Sequence, residues 1–288
     1  MTKTLQKNAY AKINLFLDVK DKRPDGYHDI ESVMQTVTLS DTVSVTRDIA
    51  DGVREITVTC TDPKVPTDSR NIVHKCAVAF FEHFEIEEYK IAIHIEKRIM
   101  AEAGLAGGST DGAATLHLLN ELFDVNTDID TLCKIGVKVG ADLPFCIVGG
   151  CALVGGIGEI ITPLEIPAPS YHAVVAYPKV GVSTAAAYGA IDSLAFRISH
   201  SADSVISALE AGRIPEKMHN SFEDVVLPEN EEAAMIKAKM LELGAISAMM
   251  SGSGPSIFGL FEDEDSARCA LNALTVLGIR AFTCRPTV

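Results

Sequence analysis

A glycine-rich segment at 104–111, Gly-Leu-Ala-Gly-Gly-Ser-Thr-Asp, is the first stretch of the chain that could do chemistry. It follows a predicted strand and opens a predicted helix, where free backbone N–H groups bind anions such as phosphate. The hydroxyls of Ser109 and Thr110 would add donors. The chain has no Gly-Lys dipeptide and no GxGxxG pattern, so it contains neither a Walker A loop nor a Rossmann fingerprint. A plain glycine turn with a Ser or Thr cap stays the alternative.

Two isolated charges lie in apolar surroundings, one on an early strand and one near the middle of the chain. Lys12 belongs to an alternating strand, and Asp142 lies within Gly-Ala-Asp-Leu-Pro-Phe at 140–145. A buried charge is costly, so each needs a partner or a task. Alternation places Asn14 on the same strand face as Lys12. A Lys–Asp couple acting on a substrate hydroxyl is one interpretation, and a helix cap at Asp142 is the other.

Two loops carry groups that could contact a ligand. The segment Asp-Gly-Tyr-His-Asp at 25–29 places an aromatic ring and an imidazole in a turn, where they could stack on and hydrogen-bond a planar base. The small residues of Ser-Gly-Ser-Gly-Pro-Ser at 251–256 allow a backbone to approach a ligand closely. A surface loop without a ligand and a plain hairpin turn are the alternatives. The eight histidines form no HExxH motif, so no protein-built metal site is indicated.

The elements that must position these groups are a mixture of strands and helices. Period-two alternation predicts strands at 9–19, 33–39, 43–46, 56–60 and 91–95. Helical spacing predicts helices at 72–84, 110–123 and 130–139. From 171 onward the expected order is a strand at 173–177, helices at 184–191 and 229–243, strands at 247–250 and 256–261, a helix at 265–277 and a strand at 280–284. This order predicts a split βαβ, ferredoxin-like unit with an inserted helical region. Clustered prolines favour a boundary near 163–168, which divides the chain into 1–164 and 165–288.

Composition and charge exclude several classes of protein. Of the 288 residues, 47% are hydrophobic and 22% are charged, which is typical of a compact globule. The net charge of −14, with no basic run, disfavours nucleic acid and anionic membranes as partners. The uncharged segment 143–158 is shorter than the ~18 apolar residues of a membrane helix, and no apolar signal-peptide core is present, so we expect a cytoplasmic protein. Seven cysteines without CxxC spacing are typical of reduced, buried thiols.

In combination, the lysine-bearing first strand, the loop 104–111 and the loop 251–256 resemble the three motifs of the GHMP kinase superfamily, in the same order. One branch of that superfamily is matched by Ala-Tyr-Ala-Lys-Ile-Asn-Leu at 9–15, Pro-Asp-Gly-Tyr-His at 24–28 and the segment 140–145. The resemblance covers most of the chain. It implies a two-domain α+β fold, with a ribosomal-S5-like N-terminal domain that binds ATP and a ferredoxin-like C-terminal domain.

The resemblance also implies an activity. This is the ATP-dependent phosphorylation of the 2-hydroxyl of 4-diphosphocytidyl-2-C-methyl-D-erythritol, in the non-mevalonate (methylerythritol phosphate) route to isoprenoids. ATP and Mg²⁺ are the implied cofactors, the partner is a small molecule carrying cytidine diphosphate, and a homodimer is left open. The alternatives are another GHMP small-molecule kinase, of the homoserine or mevalonate type, and a catalytically silent ligand sensor on the same fold.

Residue by residue, the resemblance implies that Asp142 is the catalytic aspartate and Lys12 its partner. The ATP site would comprise Gly104, Gly107, Gly108, Ser109, Thr110, Asn71 and Lys97. The substrate site would comprise Asn14, Tyr27, His28, Tyr188, Gly252, Ser253 and Gly254. The chain departs from the family pattern at Met100, Ala106, Thr110 and Gly112. If position 106 requires a positive φ, its alanine strains the loop by ~1 kcal/mol.

Overall fold

The computed structural model describes residues 2–196 and 198–287, which form two compact units. The first unit comprises Met1–Ala11, Ser40–Ala101 and Ala106–Val148. The second comprises Lys12–Leu39, Glu102–Leu105 and Gly149–Val288. The chain therefore passes between the units more than once, and the boundary expected between 164 and 165 stays a prediction.

The first unit is a sheet covered by helices. Its strands lie within β1 (Lys3–Lys22), β2 (His28–Asp48), β3 (Arg54–Cys60) and β4 (Tyr89–Glu96). Its helices are α1 (Ile72–His83), α2 (Gly107–Leu122), α3 (Ile129–Gly136) and α4 (Leu143–Val148). β4 pairs antiparallel with β2, from Thr42↔Glu96 to Asp48↔Lys90, and parallel with β3. The buried isoleucines of β4 alternate with exposed residues, as a half-buried strand requires.

The strands predicted at 33–39 and 43–46 are wrong as separate elements, because both belong to β2. Neither glycine nor proline lies between them, and only the polar pair at 40–41 indicated a break. Asp41 is instead fully buried within the strand and accepts a hydrogen bond from the amide of Ile99 at 2.8 Å. A satisfied buried carboxylate does not interrupt a strand.

The second unit contains β5 (Cys151–Gly155), β6 (Ile160–Pro163), β7 (His172–Tyr177), α5 (Thr184–Asp192), α6 (Asp203–Glu210), α7 (Glu223–Val226), α8 (Glu231–Glu242), β8 (Ser247–Met250), β9 (Ile257–Phe261), α9 (Glu264–Val276) and β10 (Arg280–Cys284). A 3₁₀ turn at Leu227–Glu229 precedes α8. β5 pairs with β2, over Ser32–Gln35 of the longer strand, and with β6.

The last four strands form a sheet in the order β10-β7-β9-β8, and every pair in it is antiparallel. Together with α8 and α9 this is a βαββαβ unit, and α5, α6 and α7 lie in the chain between its first strand and first helix. The predicted ferredoxin-like unit with an inserted helical region is therefore confirmed. The elements that the sequence analysis missed are α4, α6, α7, β5 and β6, none longer than eight residues. Periodicity has little power over so few residues.

In the ranges 2–196 and 198–287, no helix has both the length and the apolar content needed to cross a bilayer.

Candidate active site

In the first turn of α2, three backbone N–H groups have no hydrogen-bond acceptor among the described residues of their own unit. α2 begins after Ala106, which has φ 56° and ψ 29° and provides no side-chain cap. The amide of Thr110 donates to the Ala106 carbonyl at 2.8 Å, whereas those of Gly107, Gly108 and Ser109 have no described acceptor in their own unit. Three consecutive free N–H groups at the start of a long helix favour anion binding.

Three departures from the family pattern, at positions 106, 110 and 112, lie in this loop and at the start of α2. Ala106 lies in the left-handed region, so the strain of ~1 kcal/mol expected for alanine there applies. At Gly112, a Cβ would lie 2.8 Å from Cys76 Sγ, so the close contact between α2 and α1 requires glycine. Thr110 is buried, and its hydroxyl donates to the carbonyl of Tyr10 at 2.6 Å. That hydroxyl anchors the turn and has no proton left to donate to a ligand.

Lys97 lies between two carboxylates rather than in open space. Its ammonium bonds Asp41 and lies 2.8 Å from Asp111 Oδ2. The three side chains are 5%, 0% and 4% exposed, respectively. Asp41 also accepts from the backbone amides of Arg98 and Ile99, whereas Asp111 Oδ1 has no partner among the described residues. The charge of Lys97 is thus neutralised inside the first unit.

One ammonium cannot neutralise the charges of two ionised carboxylates. Burial raises the pKa of Asp111 to about 8, against the opposing charge of Lys97. Burial also disfavours the Lys97 ammonium, but the charges of Asp111 and Asp41 outweigh it and raise the pKa of Lys97. Because Asp41 has two additional amide donors, a proton bound by this cluster lies on Asp111.

Asn71, expected near the adenine, is the N-cap of α1. Its Oδ1 accepts from the amide of Val73 at 3.0 Å, and its Nδ2 donates to the carbonyl of Pro66 at 2.6 Å. This side chain holds the start of the helix and the preceding loop together. The contacts of Asn71 and Lys97 with a nucleotide stay predictions.

Asp142 is half-buried in the turn before α4. Its carbonyl accepts from the amide of Cys146 at 3.1 Å, but its carboxylate has no described hydrogen bond or ion pair within the first unit. The alternative of a side-chain helix cap therefore loses its support. A carboxylate without a structural partner is suited to a ligand or a proton.

Lys12 is buried at the centre of a polar network in the second unit. Its ammonium donates to Asn14 Oδ1 at 2.7 Å and to the Gly104 carbonyl at 3.0 Å. Asn14 in turn donates to Ser32 Oγ at 2.9 Å, and Ser251 Oγ donates to the same Gly104 carbonyl at 3.0 Å. All the partners of Lys12 in this unit are neutral oxygens, so its positive charge is not compensated there.

The loop 251–256 packs against the same glycine. Gly104, Gly252 and Gly254 all have positive φ. A Cβ on Gly104 would lie 2.0 Å from the Ser251 carbonyl oxygen, and one on Gly254 would lie 2.4 Å from Met250 Sδ. The glycines here are required both by their backbone conformation and by their neighbours.

His28 and Tyr188, both predicted to contact the base, lie together in the second unit. Their rings stack with centroids 5.0 Å apart and planes inclined by 19°. His28 Nε2 lies 2.7 Å from Oδ1 of Asp192, which also bonds the ammonium of Lys22. Tyr188 packs edge-on against Phe222, with centroids 4.9 Å apart. The imidazole is thus fixed on two sides.

Two further predicted substrate residues lie in different surroundings. The side chain of Tyr27 is 61% exposed at the tip of a turn, where its amide donates to Asp25 Oδ1 at 3.1 Å. Ser253 is buried, and its hydroxyl lies 2.8 Å from Oγ1 of Thr184, the first residue of α5. Tyr27 has a ring face available for a ligand, whereas the Ser253 hydroxyl is bonded within the protein.

Among the polar residues of these networks that the sequence analysis missed are Asp41, Asp111, Asp192 and Ser251. Asp192 follows Tyr188 by four residues on α5, so the helical period places both on one face, and this signal could have found it. Asp111 and Ser251 lie within the two glycine loops. Nothing in the sequence around Asp41 indicates a partner 56 residues away.

Comparison with known proteins identifies the family. The "GHMP kinases N terminal domain" profile matches residues 71–150, and the "GHMP kinases C terminal" profile matches residues 205–276. A 4-diphosphocytidyl-2-C-methyl-D-erythritol kinase from Exiguobacterium sibiricum is 43% identical over 94% of this chain and 94% of its own length. The chain belongs to the 4-diphosphocytidyl-2-C-methyl-D-erythritol kinase family of GHMP kinases.

Solved structures agree with this assignment. The crystal structure of a 4-(cytidine 5'-diphospho)-2C-methyl-D-erythritol kinase superposes with a TM-score of 0.84 at 31% identity, covering 99% of this chain and all of that one. A homoserine kinase from Cytophaga hutchinsonii superposes with a TM-score of 0.73 at 20% identity, covering 99% of this chain and 95% of that one, and shares the fold alone. The predicted α+β GHMP kinase fold is confirmed.

Proposed function

We propose that this kinase transfers the γ-phosphoryl group of ATP to the 2-hydroxyl of 4-diphosphocytidyl-2-C-methyl-D-erythritol. The similarity to kinases of that name over nearly the full length supports the substrate. The geometric observation that carries the proposal is Lys12, a buried ammonium whose partners within its unit are neutral oxygens. Such a cation is suited to the charge that develops on a transferring phosphoryl group.

The start of α2 fits the phosphates of ATP. The free amides of Gly107, Gly108 and Ser109 are the donors that a polyphosphate requires, and glycine at two of these positions lets oxygens approach the backbone. Gly104, two residues upstream of the helix cap, sets the turn. We assign Asn71 and Lys97 to the adenine side of this site. Mg²⁺, when bound with the nucleotide, would offset the negative charge of the phosphates.

Asp142 and Lys12 carry the transfer step in this proposal. The Asp142 carboxylate accepts the proton of the substrate 2-hydroxyl as the hydroxyl oxygen forms its bond to the γ-phosphorus. The bond from that phosphorus to the bridging oxygen breaks, and ADP leaves with the electron pair. Lys12 stabilises the charge of the transition state, and its bonds to Asn14 and Gly104 hold its ammonium in place.

The second unit supplies the substrate-binding groups. We assign the cytidine to Tyr27, His28 and Tyr188, and the remaining substrate contacts to Asn14, Gly252, Ser253 and Gly254. In terms of the chain, 1–164 would be the ATP-binding domain and 165–288 the substrate-side domain. A cytoplasmic location and a homodimer stay predictions.

An ADP-release assay with the cytidylated substrate tests the proposal. We expect turnover that requires ATP and Mg²⁺ and exceeds turnover with homoserine, mevalonate or unrelated sugars. Asp142→Asn should lower kcat by ~10²–10⁴ while substrate binding persists. Equal turnover of homoserine or mevalonate would favour the alternative kinases, and substrate binding without ADP release would favour the silent sensor.

A further inference from the structure

One carboxylate determines where the proton of the His28 ring lies. His28 Nε2 is 2.7 Å from Oδ1 of Asp192, the last residue of α5. Hydrogen bonds from Lys22 and then from His28 lower the pKa of Asp192, so its carboxylate is ionised at neutral pH. An ionised carboxylate only accepts hydrogen bonds. The hydrogen between the two groups therefore belongs to Nε2.

The orientation of the ring is fixed as well. The His28 side chain is 3% exposed, and its face stacks on Tyr188, with ring centroids 5.0 Å apart. Tyr188 is itself supported by Phe222, which meets its ring at 88°. Turning the imidazole over by 180° about its Cβ–Cγ bond would keep the ring plane and the stack, but it would break the bond between Nε2 and Asp192. The two ring nitrogens therefore keep distinct surroundings.

The second ring nitrogen is left for a ligand. In the part of the chain that the structure describes, no group bonds to Nδ1 of His28, and this atom is not among the fully buried polar atoms without a partner. In a neutral imidazole that carries its hydrogen on Nε2, Nδ1 holds a lone pair and accepts a hydrogen bond. The His28 side chain thus presents one acceptor of fixed direction.

We propose that Asp192 is a positioning residue that sets the choice of base, because it holds the His28 hydrogen on Nε2 and leaves Nδ1 to accept from the exocyclic amino group of cytosine. Uracil has a carbonyl oxygen at that position, whose lone pairs would face the lone pair of Nδ1. A polar mismatch of this kind separates two substrates by roughly tenfold to a hundredfold in kcat/KM. This inference rests on the proposed function, which places the cytidine at His28.

The variant Asp192→Asn tests the inference by kinetics with the cytidylated substrate and its uridine analogue. Asparagine can present either a donor or an acceptor to Nε2, so the hydrogen is free to move to Nδ1. We expect the cytidine-to-uridine ratio of kcat/KM to fall by roughly tenfold or more, with little change in kcat for the cytidylated substrate. Asp192→Glu, which keeps a carboxylate, should retain most of the preference.

Asp29→Asn is the matched control, because Asp29 is exposed and pairs with Arg23 at 3.3 Å rather than with His28. This control should leave the ratio unchanged. If Asp192→Asn still turns over the cytidylated substrate but leaves the cytidine-to-uridine ratio unchanged, the role of Asp192 is overturned and the proposed function is not. Absence of that turnover in the wild-type enzyme overturns the proposed function and the inference together.

Nitrogen-15 NMR of the imidazole rings provides a readout that needs no turnover. For the neutral ring in the wild-type protein, we expect the His28 signals of hydrogen on Nε2 and none on Nδ1. In Asp192→Asn the Nδ1 signal should shift toward a protonated nitrogen. Hydrogen on Nδ1 in the wild-type protein, in the other neutral tautomer or in the imidazolium, overturns the inference.

Discussion

The two units each bury one lysine, and the two lysines have opposite kinds of partner. In the first unit, Lys97 bonds the carboxylates of Asp41 and Asp111. In the second unit, Lys12 bonds the amide oxygen of Asn14 and the carbonyl oxygen of Gly104. Both side chains are almost excluded from water, so the free energy needed to bury the charge is similar. Carboxylates offset it at Lys97, whereas neutral oxygens do so at Lys12.

This difference separates a lysine whose charge is neutralised by carboxylates of its own unit from a lysine whose partners in its own unit are neutral. The charge of Lys97 is compensated by Asp41, which pairs with no other cation among the described residues, so removing the lysine leaves buried negative charge. Lys12 is held by dipoles that orient it without cancelling its charge. A cation kept in this way retains its attraction for an anionic group such as a phosphate.

The largest effect is expected from Lys12→Met on activity. Methionine fills a similar volume but has no charge, so we expect kcat to fall by ~10²–10⁴. The free energy of unfolding should fall by only about 1–2 kcal/mol, since the loss is of donors to two neutral oxygens. ADP-release kinetics and urea unfolding measure the two quantities.

Lys7→Met, on the exposed part of the same strand, is the control for Lys12→Met and should change neither quantity. Normal kcat with a severe loss of stability in Lys12→Met would remove the distinction between the two lysines.

For Lys97→Met the larger change should be in stability. Two buried carboxylates then lose their only described cation, and we expect the free energy of unfolding to fall by about 3–5 kcal/mol. Adding Asp41→Asn to this variant should recover part of the loss, because it removes the carboxylate charge that Lys97 neutralised, whereas Asp111, with its pKa raised to about 8, is already protonated at neutral pH. Chemical denaturation of the single and double variants measures both effects. A single variant as stable as the wild type would show that this cluster does not contribute to folding.

The protonation of Asp111 should make stability depend on pH. Because burial raises the pKa of Asp111 from the usual 3.8 to about 8, the native protein binds a proton that the unfolded chain has lost over that interval. Stability from this group is therefore present below about pH 4 and is lost as the pH rises through about 8. We expect Asp111→Asn to flatten this decline, by an amount on the order of 1–3 kcal/mol between pH 5 and pH 8.5. If the free energy of unfolding depends on pH in the same way in both proteins, the proton is bound by a group other than Asp111.

The smallest effect concerns the left-handed turn residues of the two units. Ala106→Gly relieves ~1 kcal/mol of strain from a positive φ, but glycine has greater freedom in the unfolded chain, so the free energy of unfolding should rise by no more than about 0.5 kcal/mol. Gly104→Ala should have the opposite sign and a larger size, because its Cβ would lie 2.0 Å from the Ser251 carbonyl oxygen. Thermal unfolding of the two variants distinguishes them. Equal shifts of the same sign would mean that the loop rearranges.

Several features of this protein follow from the sequence alone. Alternation along the first strand placed Asn14 beside Lys12, and their side chains are indeed in contact at 2.7 Å. Glycine spacing located the loop at 251–256 and placed the start of α2 within three residues, at 110 rather than at Gly107, but it did not show that Ala106 is the N-cap. The order of elements after residue 171 was sufficient to predict the ferredoxin-like unit. These features depend on periods of a few residues, which a sequence displays directly.

Only the tertiary structure decided which distant groups share a proton or a charge. Lys97 gave no indication that Asp41, 56 positions earlier, would neutralise it, and His28 lies 164 positions from Asp192. The sequence analysis placed both Lys12 and Lys97 in ligand sites, yet carboxylates of its own unit neutralise the charge of Lys97, whereas the partners of Lys12 in its own unit are neutral oxygens. The physical reason is that burial and hydrogen bonding, which set the charge of a side chain, depend on contacts created by the chain topology, and local periodicity contains no information about those contacts.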